Sequence, residues 1–397
     1  MNDLANLLRE LFLINRSLLG KGYDDSLNKI RQIIPIQKHK FPSGKKIGSW
    51  TIPKEWLVKE AFIKDAEGRV VVDYKNNPLH LWQYSKKINK KISLEELKKH
   101  ISYSKECKGG IPLKVCYYND SWGFSLKEEQ FKKLKKNFYH VKIDSQFQNG
   151  NLQIGHLYIP GKSKNEIIID SVLSCPNLAN NLSGAVVSTF LAKYILNRKK
   201  NYYSYRFLFT PETIGPLTFG LNEKYDKENF IGGLSLINLA DSSKSFNYKL
   251  SRSGNTIIDK AFKKLSKRNL DKVYLKKFNV TTGSCGNEKA YNSLGLNLNF
   301  GVLSRKRIGS YKEYDTSRDD LSFINNVNLF KSYKFCLKFI EEIEKLTIYK
   351  YNFKGEPFLT KFGIKNIFEN DEDRLPFDHL MSLCDGENTL EDISRIS

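Results

Sequence analysis

No apolar run in this 397-residue chain approaches the roughly 20 residues that a membrane-spanning helix needs. The first twenty residues, MNDLANLLRELFLINRSLLG, place charges inside an amphipathic helical pattern where a signal peptide would carry an unbroken apolar core. A soluble, cytoplasmic protein with no membrane partner is the expectation. Cysteine is sparse as well. The six cysteines, at 107, 116, 175, 285, 336 and 384, form no CxxC pair, which excludes a zinc ribbon and offers no disulfide framework. They read as reduced, buried small hydrophobes. Histidine occurs only as His39, His80, His100, His140, His156 and His379, so the long interval from 157 to 378 has no imidazole. The glycine loops at Ser183-Gly184 and Thr281–Gly286 lack the spacing of a phosphate-binding loop. Internal repeats and low-complexity segments are also missing.

What the chain does have is positive charge, a formal +22. The basic residues are scattered through helices and loops, as in KKINKKISLEELKKH and FKKLKKNF, rather than gathered into an arginine-rich stripe. This is the texture of solvated faces more than of a nucleic-acid footprint, and no nucleic-acid partner is expected. If one existed, its affinity would fall with salt.

Taken in order, residues 1–47 read as two helices (2–19 and 23–34) interrupted at Gly20-Lys21-Gly22. Residues 48–137 alternate apolar and polar positions, with a turn at Asp65 to Gly68 and a capping box at Ser93 and Glu96, and read as a small β-rich domain. From 138 to 347 strands and helices alternate. The strand candidates are HVKID, LQIGHLYIP, EIIIDSVL, YSYRFLFT, IGGLSLINLA and NFGVLS, and the helices are 184–198, 254–267 and 325–346. That order predicts an α/β core with a mixed, mostly parallel sheet flanked by helices. The stretch Glu166–Ala192 is its centre: a buried strand, a loop over 174–183 and a helix, the unit after which open sheets bind ligands. Residues 348–397 form a last segment, and within 366–397 nine acidic side chains face two basic ones.

Four polar sites fall at predicted strand ends: the 174–183 loop, Pro211-Glu212-Thr213-Ile214-Gly215, Asp241, and Glu313-Tyr314-Asp315-Thr316-Ser317 with Asp319-Asp320. Each alone could be a turn or a helix cap. Four converging on one sheet edge suggest a cleft.

The succession NRSLLGKG, IIPIQKHKFPSGKKIGSWTIPKEW, FIKDAEGRVVVDYKNNPLHLWQYS, LYIPGKS, CPNLANNLSG, FTPETIG, GNEKAYNS and YKEYDTSRDDLS resembles a bacterial family of zinc-aminopeptidase-like proteins, over nearly the whole chain. Members carry an inserted β-rich domain and a carboxyl-terminal winged helix, and often accompany surface-polysaccharide biosynthesis. The resemblance implies a core shared with zinc aminopeptidases and glutaminyl cyclases, and zinc as the family cofactor. It makes Glu212 the general base of catalysis, and it puts the metal ligands at Cys175, Asp241 and Asp315. Asn180, Asn181, Asn287, Glu288 and Tyr314 become the substrate-binding positions. Several of these depart from the family pattern. Cys175 and Asp315 stand where the family has histidines, and the loop 179–182 (ANNL) is one residue short and lacks its aspartate. The winged helix is partial: its start matches EPFLTKFG through NTLEDISRIS, and the later helix and wing do not follow.

Two readings stay open. One is a protein with impaired or lost hydrolysis, kept to bind a small peptide-like or amino-sugar-like ligand or to act as a scaffold. The other is an active aminopeptidase or amide hydrolase using Cys175, Asp241 and Asp315 as ligands and Glu212 as base, since thiolate and carboxylate both bind zinc. Cys175 as a nucleophile would need a histidine base that the sequence can supply only from His156 or a distant module. His156 itself reads as a partly exposed strand residue.

Overall fold

The computed structural model describes residues 1–397 except 175, 226, 269–270, 279–285, 347, 351–354, 356–357, 365–367, 369–370 and 397. Two helices open the chain, α1 (Asn2–Phe12) and α2 (Lys21–Arg31). The first is shorter than its pattern suggested. Arg16 folds back into the interior and its guanidinium donates to Leu11 O at 2.6 Å and to Ser26 Oγ at 3.2 Å, so the helix gives way to a connection in which 16–19 are buried. Gly20 caps α2 at φ +100°, a backbone conformation that glycine tolerates.

The large sheet has eight strands: β1 (Gln37–Pro42), β2 (Asn151–Ile159), β3 (Glu166–Val172), β4 (Ser204–Thr210), β5 (Phe230–Leu236), β6 (Phe246–Lys249), β7 (Val273–Lys276) and β8 (Phe300–Ser304). Their spatial order is β1-β2-β4-β3-β5-β8-β6-β7. The inner four, β4-β3-β5-β8, are parallel to one another, and antiparallel pairs sit toward the edges. The sheet is mixed, as expected.

Burial explains why EIIIDSV becomes the central strand. Ile167 and Ile169 point into the cluster under α1 and α2, while Ile168 points into the opposite cluster with Phe219, Tyr291 and Phe300. A strand buried on both faces needs consecutive rather than alternating apolar residues. Each of these isoleucines contributes about 1.5–3 kcal/mol by leaving water.

The helices of the core are α3 (Ala179–Asn197), α4 (Ile214–Gly220), α5 (Ile257–Lys267), α6 (Glu288–Tyr291) and α7 (Asn326–Ile343). Helix α3 starts five residues before its expected position and is buried over most of its circumference.

A second sheet of four antiparallel strands, ordered Val70–Asp73, Glu55–Lys64, Phe138–Gln148 and Ile88–Ser93, encloses its own apolar cluster around Trp56, Ile63, Phe124 and Val141. The strand expected at HVKID in the large sheet therefore lies in this smaller one. Its partner Glu55–Lys64 offers a long matching register that the large sheet does not. In the last segment α8 (Asp371–Leu383) and α9 (Leu390–Ile396) are separated not by a bare turn but by a strand, Asp385–Thr389, that pairs with Ile348–Lys350. Among the described residues no helix is long and apolar enough to cross a membrane.

Candidate active site

The loops beyond the carboxyl ends of the parallel strands meet at the amino terminus of α3. Asp319, from a loop far downstream, holds that terminus: its carboxylate accepts from Asn180 N at 2.7 Å and its carbonyl from Ala179 N at 2.7 Å. This distant cap explains why α3 begins at Ala179 rather than at Ser183-Gly184.

Asn180 is fully buried. Its Oδ1 accepts from Ala240 N at 2.9 Å, and its Nδ2 donates to Asp241 Oδ2 and to the Tyr311 hydroxyl, both at 3.3 Å. Asp241 is equally buried, and its carboxylate accepts further bonds from Ser243 N at 2.9 Å and Lys306 N at 3.1 Å. Burial raises the Tyr311 hydroxyl well above its ordinary pKa, and the charges of Asp319, Asp241 and Asp315 add to the rise, so all four groups share one electrostatic neighbourhood. Asp315, at φ +51°, is pushed up to about 6 by burial. Burial takes Asp319 up to about 7; Asp315 reinforces this, and the N–H groups of Asn180 and Asn181 oppose it.

Glu212 sits in the loop that follows β4. Its N–H donates to Ser174 Oγ at 3.0 Å, and its carbonyl accepts from Ile214 N at 2.6 Å across Thr213, which has φ +60° and ψ −60°. That is a γ-turn of the rare, strained hand, here on a β-branched residue. Strain of this kind costs about 1–3 kcal/mol and persists only where the surroundings impose it. The imposing groups are Asn287, whose Oδ1 accepts from Thr213 N at 3.1 Å, and Asp170, whose Oδ2 accepts from Asn287 Nδ2 at 2.7 Å. Thr210 and Tyr291 donate to the other oxygen of Asp170 at 2.8 and 3.0 Å. Burial outweighs these hydrogen bonds and holds Asp170 near pKa 7.

Of the remaining expected residues, Tyr314 stands edge-on to Tyr311 with ring centroids 5.5 Å apart and packs on Ile237, Val302 and Ile308. Glu288 is buried and paired with Lys249 at 2.6 Å. Asn181 is buried with its Oδ1 unpartnered. Cys175 lies outside the described residues. His156 is a strand residue but buried rather than partly exposed. It stacks on His39 at 4.5 Å and meets the Arg206 guanidinium, which also pairs with Glu166 at the other end of β3 from the site. Burial and Arg206 lower it to about 3, so the ring is neutral.

Two contributors escaped the sequence reading. Asp170 was signalled only by being a lone acid inside an apolar run. The smaller module supplies part of the wall: Leu113 N donates to Asp315 O at 2.7 Å, and Ile111 exchanges bonds with Ser317.

Residues 5–346 match the family profile described as a domain of unknown function, DUF4910. The chain belongs to the DUF4910 family. A Clostridium acetobutylicum protein provisionally described as a polysaccharide biosynthesis protein with an aminopeptidase-like domain is 38% identical to this DUF4910 chain over 99% of its length and 90% of the relative's. A crystal structure of a provisionally described peptidase from the same species superposes with a TM-score of 0.83 at 35% identity, covering 100% of this chain and 90% of that one. The zinc aminopeptidase BSAP of Bacillus subtilis superposes with a TM-score of 0.63 at 12% identity, covering 86% and 94%. The DUF4910 core thus has the aminopeptidase fold.

Zinc in such a fold needs about three His, Cys or carboxylate donors with free lone pairs. Among the described residues of this DUF4910 chain, no three such side chains converge to hold a metal ion. Asp241 is already engaged by three N–H donors, one of them the neutral amide of the neighbouring Asn180. Cys175, one of the expected ligands, lies outside the described residues, and the described ones alone do not make up a three-donor zinc site.

Proposed function

We infer that this DUF4910 protein is an aminopeptidase-like protein with impaired or lost metal-dependent hydrolysis, retained in the cytoplasm as a binding or scaffold protein. Its ligand on this reading is small and peptide-like or amino-sugar-like, and the description of the Clostridium acetobutylicum relative supports a link to polysaccharide biosynthesis. The observation that carries the reading is the bond from Asn180 Nδ2 to Asp241 Oδ2. An amide donor satisfies a carboxylate that a cation would otherwise claim, and an amide is a poor zinc ligand. The strained turn after Glu212 and the Asp170–Asn287 network beneath it support a cleft still held in shape for a ligand.

Elemental analysis of the purified protein, before and after chelation, tests this alongside a panel of aminopeptidase substrates. Substoichiometric zinc and no turnover are expected. Stoichiometric zinc that both Cys175→Ala and Asp315→Ala abolish would reject it in favour of an active hydrolase with a changed ligand set.

A further inference from the structure

A cavity of about 410 Å³ opens beside the candidate site, at the edge of the sheet where β6, β7 and β8 meet. That volume lies within the range of small-molecule sites. Its floor follows from strand register: Asn247 pairs with Ser304 and Lys249 with Val302, so these four side chains share one face, while Tyr248 and Leu303 between them point into the core. On the other side Lys249 pairs with Lys276 of β7. Two like charges side by side on one face of a sheet repel. Lys277 and Arg307 line the same cavity, bringing four cations together.

Among the described residues that line the cavity, one is an anion. Glu288 is fully buried and spends its charge on Lys249, with Nζ to Oε1 at 2.6 Å. Among the described residues no carboxylate pairs with Lys276, Lys277 or Arg307, and the sequence holds none between Asp271 and Glu288. Phe278, Val302 and Ile308 provide an apolar wall, and the last two belong to the cluster on which Tyr314 of the candidate site packs.

We propose that this cavity binds a phosphate ester of a small polyol or sugar, its phosphoryl group against Lys276, Lys277 and Arg307 and its organic part on Phe278, Val302 and Ile308. A carboxylate brings one negative charge to three uncompensated cations. A phosphate monoester brings nearly two, with three acceptor oxygens. The cations stand on strand ends and a loop, which is why no glycine-rich phosphate signature marks the site. The proposal extends the ligand-binding reading to a ligand class and does not depend on metal content, so zinc or peptidase activity could sink that reading while leaving this one standing.

Calorimetric titration of the full chain with glucose 1-phosphate, at fixed ionic strength, tests it. The probe is expected to bind, and Lys276→Gln with Arg307→Gln, both exposed positions, should weaken it roughly tenfold or more by removing two charge-assisted contacts. Lys90→Gln with Lys91→Gln removes the same charge from the smaller sheet and should leave affinity unchanged. No heat of binding overturns the proposal, as does equal loss in both double variants, which would mean non-specific attraction to a basic protein. Glucuronate binding as tightly as glucose 1-phosphate overturns the phosphate assignment.

Discussion

Strand β3 has two carboxyls, and their surroundings decide their roles. Glu166 is paired with Arg206, whereas Asp170 meets only neutral donors from Asn287, Thr210 and Tyr291. With its pKa raised by burial to about 7, the folded protein holds a proton that the unfolded chain has lost from roughly pH 4 upward. Asp170 therefore lends most stability below about pH 4, and that contribution is lost as pH rises through 7. Asp170→Asn carries no titrating proton, so the slope of stability against pH between 4 and 7 should flatten, as read from urea midpoints. At pH 4 the variant should also be about 1–3 kcal/mol less stable, because its amide turns a donor toward Asn287 and disturbs the bond to Thr213. A slope as steep as the parent's would show that Asp170 is not the titrating group. At the same scale, Cys175→His with Asp315→His should leave zinc content unchanged, since Asn180 still presents an amide to Asp241. Stoichiometric zinc in that double variant would count against the role given to Asn180.

Helix α3 is the element on which the site depends, and its position rests on two contacts remote in sequence. Asp319 caps it from 139 residues away. Gly184 lies against β5 so closely that an added Cβ would fall 1.9 Å from Leu236 O. Gly184→Ala gains helix propensity but must push a helix off the backbone of a strand, so a net loss of about 1–3 kcal/mol is expected, seen as a lower urea midpoint at unchanged m-value. An unaltered midpoint would show that α3 can shift without cost. These contacts also mark what could be read in advance. The apolar run Ile167–Ile169 announced a central strand because burial on both faces leaves no room for alternation, and Glu212, Asp241 and Asp315 stood out as polar residues after such strands. The true start of α3 was hidden because its cap is supplied by a residue no local window contains. The strand Phe138–Gln148 went to the smaller sheet because partner choice is a property of register between distant segments. His156 looked half exposed in an alternating pattern, yet its outer face is covered by His39 and Arg206, neither of them adjacent in the chain.

Across the whole molecule the charge is segregated and then partly rejoined. The acidic final segment sets Asp392 against Lys260 at 2.9 Å and Glu391 against Lys264 at 2.8 Å, and Lys264 and Arg268 of the α5 region also reach Glu342 of α7. Burial pushes the Asp392 carboxyl up, but hydrogen bonds from Lys260 and Thr389 more than offset it and bring it to about 2. A carboxyl depressed in this way contributes stability above about pH 4, and the contribution fades as pH falls toward 2. Because a largely exposed pair such as Lys264–Glu391 contributes little singly, the docking of α9 should depend on that pair acting together with the more buried Lys260–Asp392 pair and with the buried Ile393. Lys260→Glu with Lys264→Glu sets like charges against Asp392 and Glu391 and should speed amide hydrogen exchange across Leu390–Ile396 by roughly tenfold or more, local opening being the least costly route to exchange there. Exchange in α3 should stay as slow as in the parent, since the ion pairs of the replaced lysines run to Asp392, Glu391 and Glu342, all outside that helix. Equal acceleration in both helices would mean that the final segment and the sheet open as one unit, and no change in either would leave Ile393 and its apolar neighbours as the whole anchor.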